Sequence, residues 1–356
     1  MVTRIDPLPD AGLAKSIIKP TERDRINVAT VNVRYDNGTK SSLPPIFDNP
    51  YREKPWSERK TRLIDCLLSI GDIDIIGFQE VLHDQLSDLQ DLLGDEYGHV
   101  GVGRDDGKES GEYSPIFYDR RIFEVVKWGT IWLSTTPDIP SRGWDAALPR
   151  IATLLTLRKI GKNGKLVHAI NTHYDHLGIK ARAESSLLIR SQIYNWVKQI
   201  EKEEKIKEKN PIILFGDFNS PPEEKGYKNI TSSKPLLSNQ SSFYFLDSFN
   251  HLFGKQTRPY GPEHTYTDFA PPGSKNQTRI DFIMLGADNL PKYQKKGEEE
   301  ILNETSNLVE RASARGGWKV DKYACLDNFI EGDSDGWKGR WSDHRVVRIS
   351  ISKTSQ

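Results

Sequence analysis

Cysteine is scarce in this sequence, and long apolar runs are missing. Cys66 and Cys325 are its two cysteines, too few and too far apart for a disulfide framework or a cysteine-based zinc site. No apolar run approaches the length of a membrane span, and the N-terminus has no apolar signal-peptide core. We therefore expect a soluble, cytoplasmic protein with no membrane anchor, and nothing in the sequence predicts an obligate protein partner.

An excess of either charge is also missing, because 50 basic and 50 acidic residues give a formal net charge of +0. This balance excludes a strongly basic surface of the kind that grips long nucleic acids, although it leaves room for a local basic patch. Arg104, Lys108, Arg142 and Arg150 would form such a patch if they flanked one site. A patch of this kind would favour a nucleic-acid substrate.

The sequence does contain short β-branched segments that alternate with segments of helical periodicity. This alternation predicts one α/β domain over residues 25–352, with helices covering sheets, after a flexible N-terminal arm at 1–24. Ser57 is predicted to cap the first helix, and residues 287–328 give no assignment. Strands are predicted at 25–32, 74–80, 115–118, 123–128, 151–159, 166–173, 212–215, 279–285 and 346–351, and helices at 57–70, 83–93 and 183–209.

The segment 211–222 combines a buried strand with polar side chains at its end. Four apolar residues lead into Gly216, and Asp217 and Asn219 then stand two residues apart, which places both side chains on one face of an extended segment. An acid beside an amide at the mouth of a buried strand is typical of a polar site held on a rigid element. Asp and Asn are also ordinary turn residues, so on their own these two residues favour a turn.

Other predicted strands also end in an acid, an amide or a histidine. One polar strand end is unremarkable, whereas six of them indicate that the strands converge on a single polar site. The residues at or beside these strand ends are Asn32, Glu80, His173, Asp217, Asn219, Asp281, Asp343 and His344.

In these segments the sequence resembles the endonuclease/exonuclease/phosphatase superfamily, whose members share the DNase I-like fold. The resemblance covers roughly residues 25–352, and segments 111–118 and 148–153 look closest to a little-characterised branch of bacterial and fungal hydrolases. It implies a two-sheet α/β sandwich with helices on the outer faces and the site at one edge of the sheets. The segments that carry it are Val31-Asn32, Gln79-Glu80, Asn171-Thr172-His173, Gly216-Asp217-Phe218-Asn219, Arg279-Ile280-Asp281 and Ser342-Asp343-His344.

The resemblance implies a metal-dependent phosphoester hydrolase. In such a reaction water attacks phosphorus in line, and the protein must neutralise charge on the phosphate oxygens. Hard oxygen ligands suit Mg²⁺, with Mn²⁺ as an alternative. Glu80 is the leading predicted ligand, with Asn32 and Asp343 beside it.

The remaining polar residues of these strand ends suit the catalytic steps. An ionised Asp217 accepts hydrogen bonds only, so it is predicted to orient and deprotonate the attacking water. Asn219 is predicted to donate its amide hydrogen to a phosphate oxygen. His344, oriented and kept protonated by Asp281, would add a cationic hydrogen bond to the phosphate. These roles match what the resemblance implies for the corresponding positions.

Two further assignments depend more heavily on the resemblance. Glu112 stands where secreted DNases of the family have a glutamate, and it is predicted to pair with His173 on the leaving-group side. The alternative for Glu112 is an ordinary solvated surface acid. Arg150 resembles a family arginine that touches the substrate phosphate, and the alternative is a salt bridge near the start of a strand.

The predicted function is that of a phosphodiesterase of nuclease type, with an oligonucleotide or a small phosphate ester as its substrate. The first alternative is a phosphomonoesterase, or a sphingomyelinase-like phosphodiesterase of lipid headgroups. The second is a non-catalytic binding module of the same fold. A module that had lost catalysis should lack Glu80, Asp217, Asp343 or His344, and all four are present.

Overall fold

The computed structural model describes residues 25–36, 38, 52–161, 164–233, 243–253, 256, 258–288 and 314–353. The predicted arm at 1–24 lies outside these residues, so the division into an arm and one domain stays a prediction. No helix in the part of the chain that the structure describes is both long enough and apolar enough to cross a membrane.

Four α-helices and fourteen strands are seen in the described residues. The helices are α1 (Trp56–Leu68), α2 (His83–Leu93), α3 (Ile179–Glu203) and α4 (Lys225–Thr231). The strands are β1 (Arg25–Asn32), β2 (Ile75–Gln79), β3 (Tyr97–Val100), β4 (Ile116–Asp119), β5 (Phe123–Trp132), β6 (Ile151–Lys159), β7 (Leu166–His173), β8 (Ile212–Asp217), β9 (Phe243–Asp247), β10 (Asp281–Asp288), β11 (Trp318–Leu326), β12 (Phe329–Ile330), β13 (Gly339–Arg340) and β14 (Val346–Lys353).

Two six-stranded sheets form the centre of the fold, in the orders β11-β14-β1-β2-β4-β3 and β5-β6-β7-β8-β10-β9. Each sheet has one parallel pair, β1 with β2 in the first and β7 with β8 in the second. The neighbouring strands are antiparallel. Parallel neighbours end at the same edge of a sheet, so each pair brings two strand ends together.

Strand side chains alternate between a central core and an outer core. Val28 and Ile75 of the first sheet and Phe215 of the second are fully buried between the two sheets. Val31, from the opposite face of β1, instead packs in the cluster that holds Leu63 of α1. A similar outer cluster joins α3 to the second sheet. The predicted two-sheet α/β sandwich with helices on its outer faces is therefore confirmed.

The boundaries of α3 differ from the predicted helix at 183–209. The helix begins at Ile179 because Asp145, from a distant loop, accepts hydrogen bonds from the backbone N–H groups of Lys180 and Ala181. It ends at Glu203, and Lys205 has a left-handed backbone with φ 52°. The predicted cap is also wrong, since α1 begins at Trp56 and places Ser57 inside the helix.

Strand β11 lies in the segment for which the sequence predicts nothing. Its buried positions include Trp318, Val320, Tyr323 and Cys325, so the inward positions change from even to odd residues. A register shift between Val320 and Lys322 accounts for this change. Such a bulge breaks the period of two that identifies a strand in a sequence.

Candidate active site

The two parallel strand pairs end at one place, where the two sheets meet. Asn32 lies opposite Gln79 at the end of the first pair, and His173 lies opposite Asp217 at the end of the second. Glu80 follows Gln79 directly. The predicted convergence of polar strand ends is thus what the structure shows.

Asn32 links the two sheets at this edge. Its Nδ2 donates to Glu80 Oε1 at 2.8 Å and to Asp217 Oδ2 at 3.0 Å, while its Oδ1 accepts the backbone N–H of Arg34. Asn32 therefore turns its amide nitrogen toward the two carboxylates. Glu80 has a left-handed backbone with φ 59°, a conformation that costs energy and is typical of functional positions.

Asp217, His344 and Asp281 form a buried row in that order. The row starts at Asp217, one of the two carboxylates that accept from Asn32. Asp281 Oδ2 lies 2.8 Å from His344 Nδ1, and His344 Nε2 lies 3.6 Å from Asp217 Oδ2. Burial alone would lower the pKa of His344, but Asp281, Asp217 and Asp343 raise it well above its ordinary value. Burial raises the pKa of Asp217, although the neighbouring imidazolium opposes this rise. The geometry therefore favours a protonated His344.

The donor set at this edge fits a hard divalent cation. Burial, and then the negative charge of Glu80, raise the pKa of Asp343 to about 6 even though His344 opposes the rise. Two carboxylates that repel each other in a buried site are stabilised by a cation. Ligand atoms of Glu80, His173 and Asp217 also lie within 4.8 Å of one another. The predicted ligands Glu80, Asn32 and Asp343 thus share one region, and their role as ligands stays a prediction.

Asn219 belongs to a turn and to the site at the same time. Its backbone N–H donates to Asp217 Oδ1 at 2.9 Å, and its φ is 45°. Its Nδ2 donates to the carbonyl of Tyr174 at 3.1 Å and lies 3.0 Å from His173 Nε2. Burial and the charge of Arg150 lower the pKa of His173 to about 3, so this imidazole is neutral. The turn fixes Asp217 Oδ1 and leaves Oδ2 facing the other site residues.

The predicted pair of Glu112 and His173 is close, but each residue has a nearer partner. Glu112 Oε2 lies 3.5 Å from His173 Nδ1 and accepts a hydrogen bond from Arg104 Nη1 at 2.6 Å. Arg150 Nη1 lies 2.9 Å from His173 Nδ1, and its Nε pairs with Asp175 at 3.4 Å. Arg150 is therefore both a salt-bridge partner and a neighbour of the site.

The local basic patch that the sequence left open does not form. Arg104 and Arg150 are buried, and both lie against the carboxylate of Glu112. Lys108 and Arg142 are the exposed members of the four. The loop that carries Lys108 also exposes three acids, Asp105, Asp106 and Glu109. This face of the site is therefore not a cationic groove.

Arg59 supports the site and was missed by the sequence analysis. It is fully buried on α1, and its guanidinium donates to the backbone carbonyls of Lys54, Val33, Arg34 and Trp341 at 2.7–3.0 Å. These carbonyls belong to the segments that follow Asn32 and precede Asp343. The one sequence signal is its spacing of four from Leu63, which puts an arginine on the apolar face of the helix.

We expect the change Arg59→Met to lower the free energy of unfolding by about 3–4 kcal/mol, because each buried acceptor left without a donor costs about 1–3 kcal/mol. The measurement is urea unfolding followed by circular dichroism. Lys60→Met on the same helix is the control, since it removes only a partly exposed ion pair with Asp88. Equal losses in the two variants would contradict this role for Arg59.

The sequence matches the Endonuclease/Exonuclease/phosphatase family over residues 29–344. An endonuclease/exonuclease/phosphatase from Bacteroides vulgatus is 30% identical, with a TM-score of 0.66 over 93% of this chain and 99% of that one. A mannosyl-6-phosphatase from Bacteroides thetaiotaomicron is 28% identical, with a TM-score of 0.65 over 92% and 99%. The human Nocturnin catalytic domain, at 18% identity, TM-score 0.56 and coverage of 93% and 96%, shares the fold. A search of proteins with curated descriptions gave no significant match.

Proposed function

Because this chain belongs to the endonuclease/exonuclease/phosphatase family, whose members are phosphoester hydrolases, we propose that it is a metal-dependent hydrolase of small phosphate monoesters. The observation that carries the proposal is the buried row of Asp217, His344 and Asp281 beside Glu80. In this proposal Asp217 is the general base, His344 is the protonated imidazole and Glu80 is a metal-binding carboxylate, all at one edge of the sheets. A binding module has no need for this set of charged, buried groups.

The polar residues of the site divide the tasks of the reaction among them. Asp217 takes the proton of the attacking water, and Asn32 and Asn219 hold its carboxylate through both oxygens. His344, kept protonated by Asp281, donates to a phosphate oxygen.

The metal ion is assigned to the neighbouring oxygen ligands. Glu80 and Asp343 would hold Mg²⁺, or Mn²⁺, and Asn32 would join them with its amide turned so that Oδ1 replaces Nδ2 on the side of the carboxylates. The bound ion would supply positive charge to the phosphate oxygens. Two carboxylates support this assignment, the partly exposed one of Glu80 and the buried one of Asp343, whose pKa Glu80 helps to raise.

On the leaving-group side we assign Glu112, His173 and Arg150. Neutral His173 accepts from Arg150 at Nδ1, so its Nε2 carries the hydrogen and lies 3.5 Å from Asp217 Oδ2. Glu112 lies 3.5 Å from Nδ1. Arg150 Nη1 and Nη2 lie within 3.0 Å of two histidine nitrogens, so a substrate phosphate would have to share this guanidinium. Contact between Arg150 and the phosphate stays part of the proposal.

Two observations favour a small monoester over the oligonucleotide that the sequence analysis put first. Arg104 and Arg150 are buried against Glu112, so the described residues around Glu112 form no basic groove for a long phosphate backbone. The mannosyl-6-phosphatase of Bacteroides thetaiotaomicron also shares 28% of its residues with this chain. A sugar phosphate is therefore the substrate class that we put first.

The test is a substrate panel with the purified protein and Mg²⁺. It compares mannose 6-phosphate, glucose 6-phosphate, p-nitrophenyl phosphate, bis-p-nitrophenyl phosphate, short DNA and RNA, and sphingomyelin. We expect kcat/KM for the best sugar phosphate to exceed that for every diester by at least about 100-fold. Preferred cleavage of DNA, RNA or sphingomyelin would contradict the proposed substrate class.

A further inference from the structure

Arg34 is an arginine at the rim of the site to which no role has been assigned so far. It stands two residues after Asn32 and has a left-handed backbone with φ 61°. Its N–H donates to Asn32 Oδ1, and its carbonyl accepts from Arg59 Nη2 and Gln85 Nε2. A non-glycine residue keeps this unfavourable conformation only when its surroundings fix it, as these three hydrogen bonds do.

The side chain of Arg34 is held on one side and left open on the other. Nε and Nη2 donate to the two carboxylate oxygens of Glu53 at 3.2 and 3.3 Å, and the guanidinium carbon lies 4.5 Å from the centre of the Tyr35 ring. Nη1 lies 3.7 Å from Glu80 Oε2, which is beyond hydrogen-bond distance. Among the described residues, Nη1 has no hydrogen-bond acceptor. The side chain is 27% exposed, so substrate can reach it.

The charges of the site indicate which ligand Arg34 Nη1 binds. Glu80, Asp217, Asp281 and Asp343 are acids. His344 faces them from the inner end of the site, and Arg150 lies beside His173 on the leaving-group side. A phosphate monoester carries up to two negative charges, whereas a diester carries one. The monoester therefore gains more than the diester from each further fixed cation, and an arginine N–H pair makes a strong hydrogen bond to phosphate.

We propose that Arg34 Nη1 binds a non-ester oxygen of the substrate phosphate, and that this contact makes the site select dianionic monoesters over diesters. The inference rests on the proposed function and adds a substrate-binding residue to it. Glu53 acts as a positioning residue, because its bidentate pair aims the guanidinium at the site.

The test compares wild type with Arg34→Gln and Arg34→Lys in the presence of Mg²⁺. The readouts are kcat/KM for p-nitrophenyl phosphate and for bis-p-nitrophenyl phosphate, and the Kd of inorganic phosphate from calorimetry. For Arg34→Gln we expect about a 100-fold loss on the monoester, at most about a 5-fold loss on the diester, and about 30-fold weaker phosphate binding. Arg34→Lys keeps the charge but not the planar fork, so it should lose about 10-fold on the monoester.

Two further variants keep the result interpretable. Glu53→Gln leaves the charge of Arg34 but no longer holds its guanidinium in one orientation. It should therefore raise KM for the monoester more than it lowers kcat. Arg121→Gln is the matched control, because Arg121 pairs with Asp119 at the opposite end of β2 and β4 and should leave both rates unchanged. If Arg34→Gln does not fold, Arg34→Lys and Glu53→Gln still measure the monoester preference.

Equal losses on monoester and diester, or unchanged phosphate binding, would overturn the inference and leave the proposed function standing. Failure of the proposed function has a different signature, since wild type itself would then hydrolyse neither ester or would prefer the diester.

Discussion

Replacing Asp217 by Asn is expected to lower kcat by at least about 1,000-fold, because a positioned general base contributes roughly 100- to 10,000-fold. The amide keeps the shape of the side chain but cannot take the proton of the attacking water. Asn32 Nδ2 and the Asn219 N–H each donate to one carboxylate oxygen, and the amide keeps an acceptor for one of them only, so the stability of the variant must be measured beside its activity. The measurement is steady-state release of inorganic phosphate from the best monoester.

The stability of the same variant separates the two explanations of a loss. Burial raises the pKa of Asp217, which means that its ionised form destabilises the folded state. We therefore expect the thermal midpoint of Asp217→Asn to equal or exceed that of wild type. Asp106→Asn, on an exposed loop, is the control for the chemical change alone. Wild-type activity in Asp217→Asn would refute its role as the base.

The second large effect is expected for Asp281→Asn, which acts on the substrate through His344. The carboxylate of Asp281, 2.8 Å from His344 Nδ1, is the largest of the influences that raise the pKa of His344 against the effect of burial. The reaction needs the protonated imidazole, so activity should fall at alkaline pH as His344 loses its proton. In Asp281→Asn that alkaline limb should move to lower pH, and kcat should fall by about 100-fold.

The pH dependence of stability gives an independent check on the same residue. A histidine whose folded-state pKa is raised stabilises the protein fully below its unfolded pKa of about 6.5 and loses this contribution as pH rises through the folded pKa. Urea unfolding of wild type should therefore show a loss of stability on the alkaline side that His344→Gln lacks. If the alkaline limb of the activity profile is unchanged in Asp281→Asn, Asp281 does not keep His344 protonated.

The strands that carry the site could be predicted because their local pattern matches their final surroundings. β6 and β7 have the predicted bounds, since uninterrupted β-branched and apolar segments of this length suit a sheet buried on both faces. The start of α3 could not be predicted, because the carboxylate that caps it comes from Asp145, far back in the chain. Strand β11 could not be predicted either, because its bulge interrupts the alternation of inward and outward residues.

The candidate site could be predicted to the extent that residue type reveals chemistry. Acids, amides and histidines at strand ends stand out, and the structure brings Asn32, Glu80, Asp217, Asp281 and His344 together. Arg150 is indicated by the family resemblance, whereas the contributions of Arg34 and Arg59 are not visible in this way. Their positions depend on backbone carbonyls and on carboxylates from other segments, and no residue-type pattern records those partners.

The central claim for this site is that it hydrolyses a phosphoester only when a divalent metal ion is bound. The decisive measurement is phosphate release by the purified protein after dialysis against EDTA, before and after addition of Mg²⁺. We predict that activity falls to background in EDTA and returns with Mg²⁺ in wild type, but does not return in Asp217→Asn. Turnover that is unaffected by EDTA, or an Asp217→Asn variant that recovers with Mg²⁺, would contradict the mechanism.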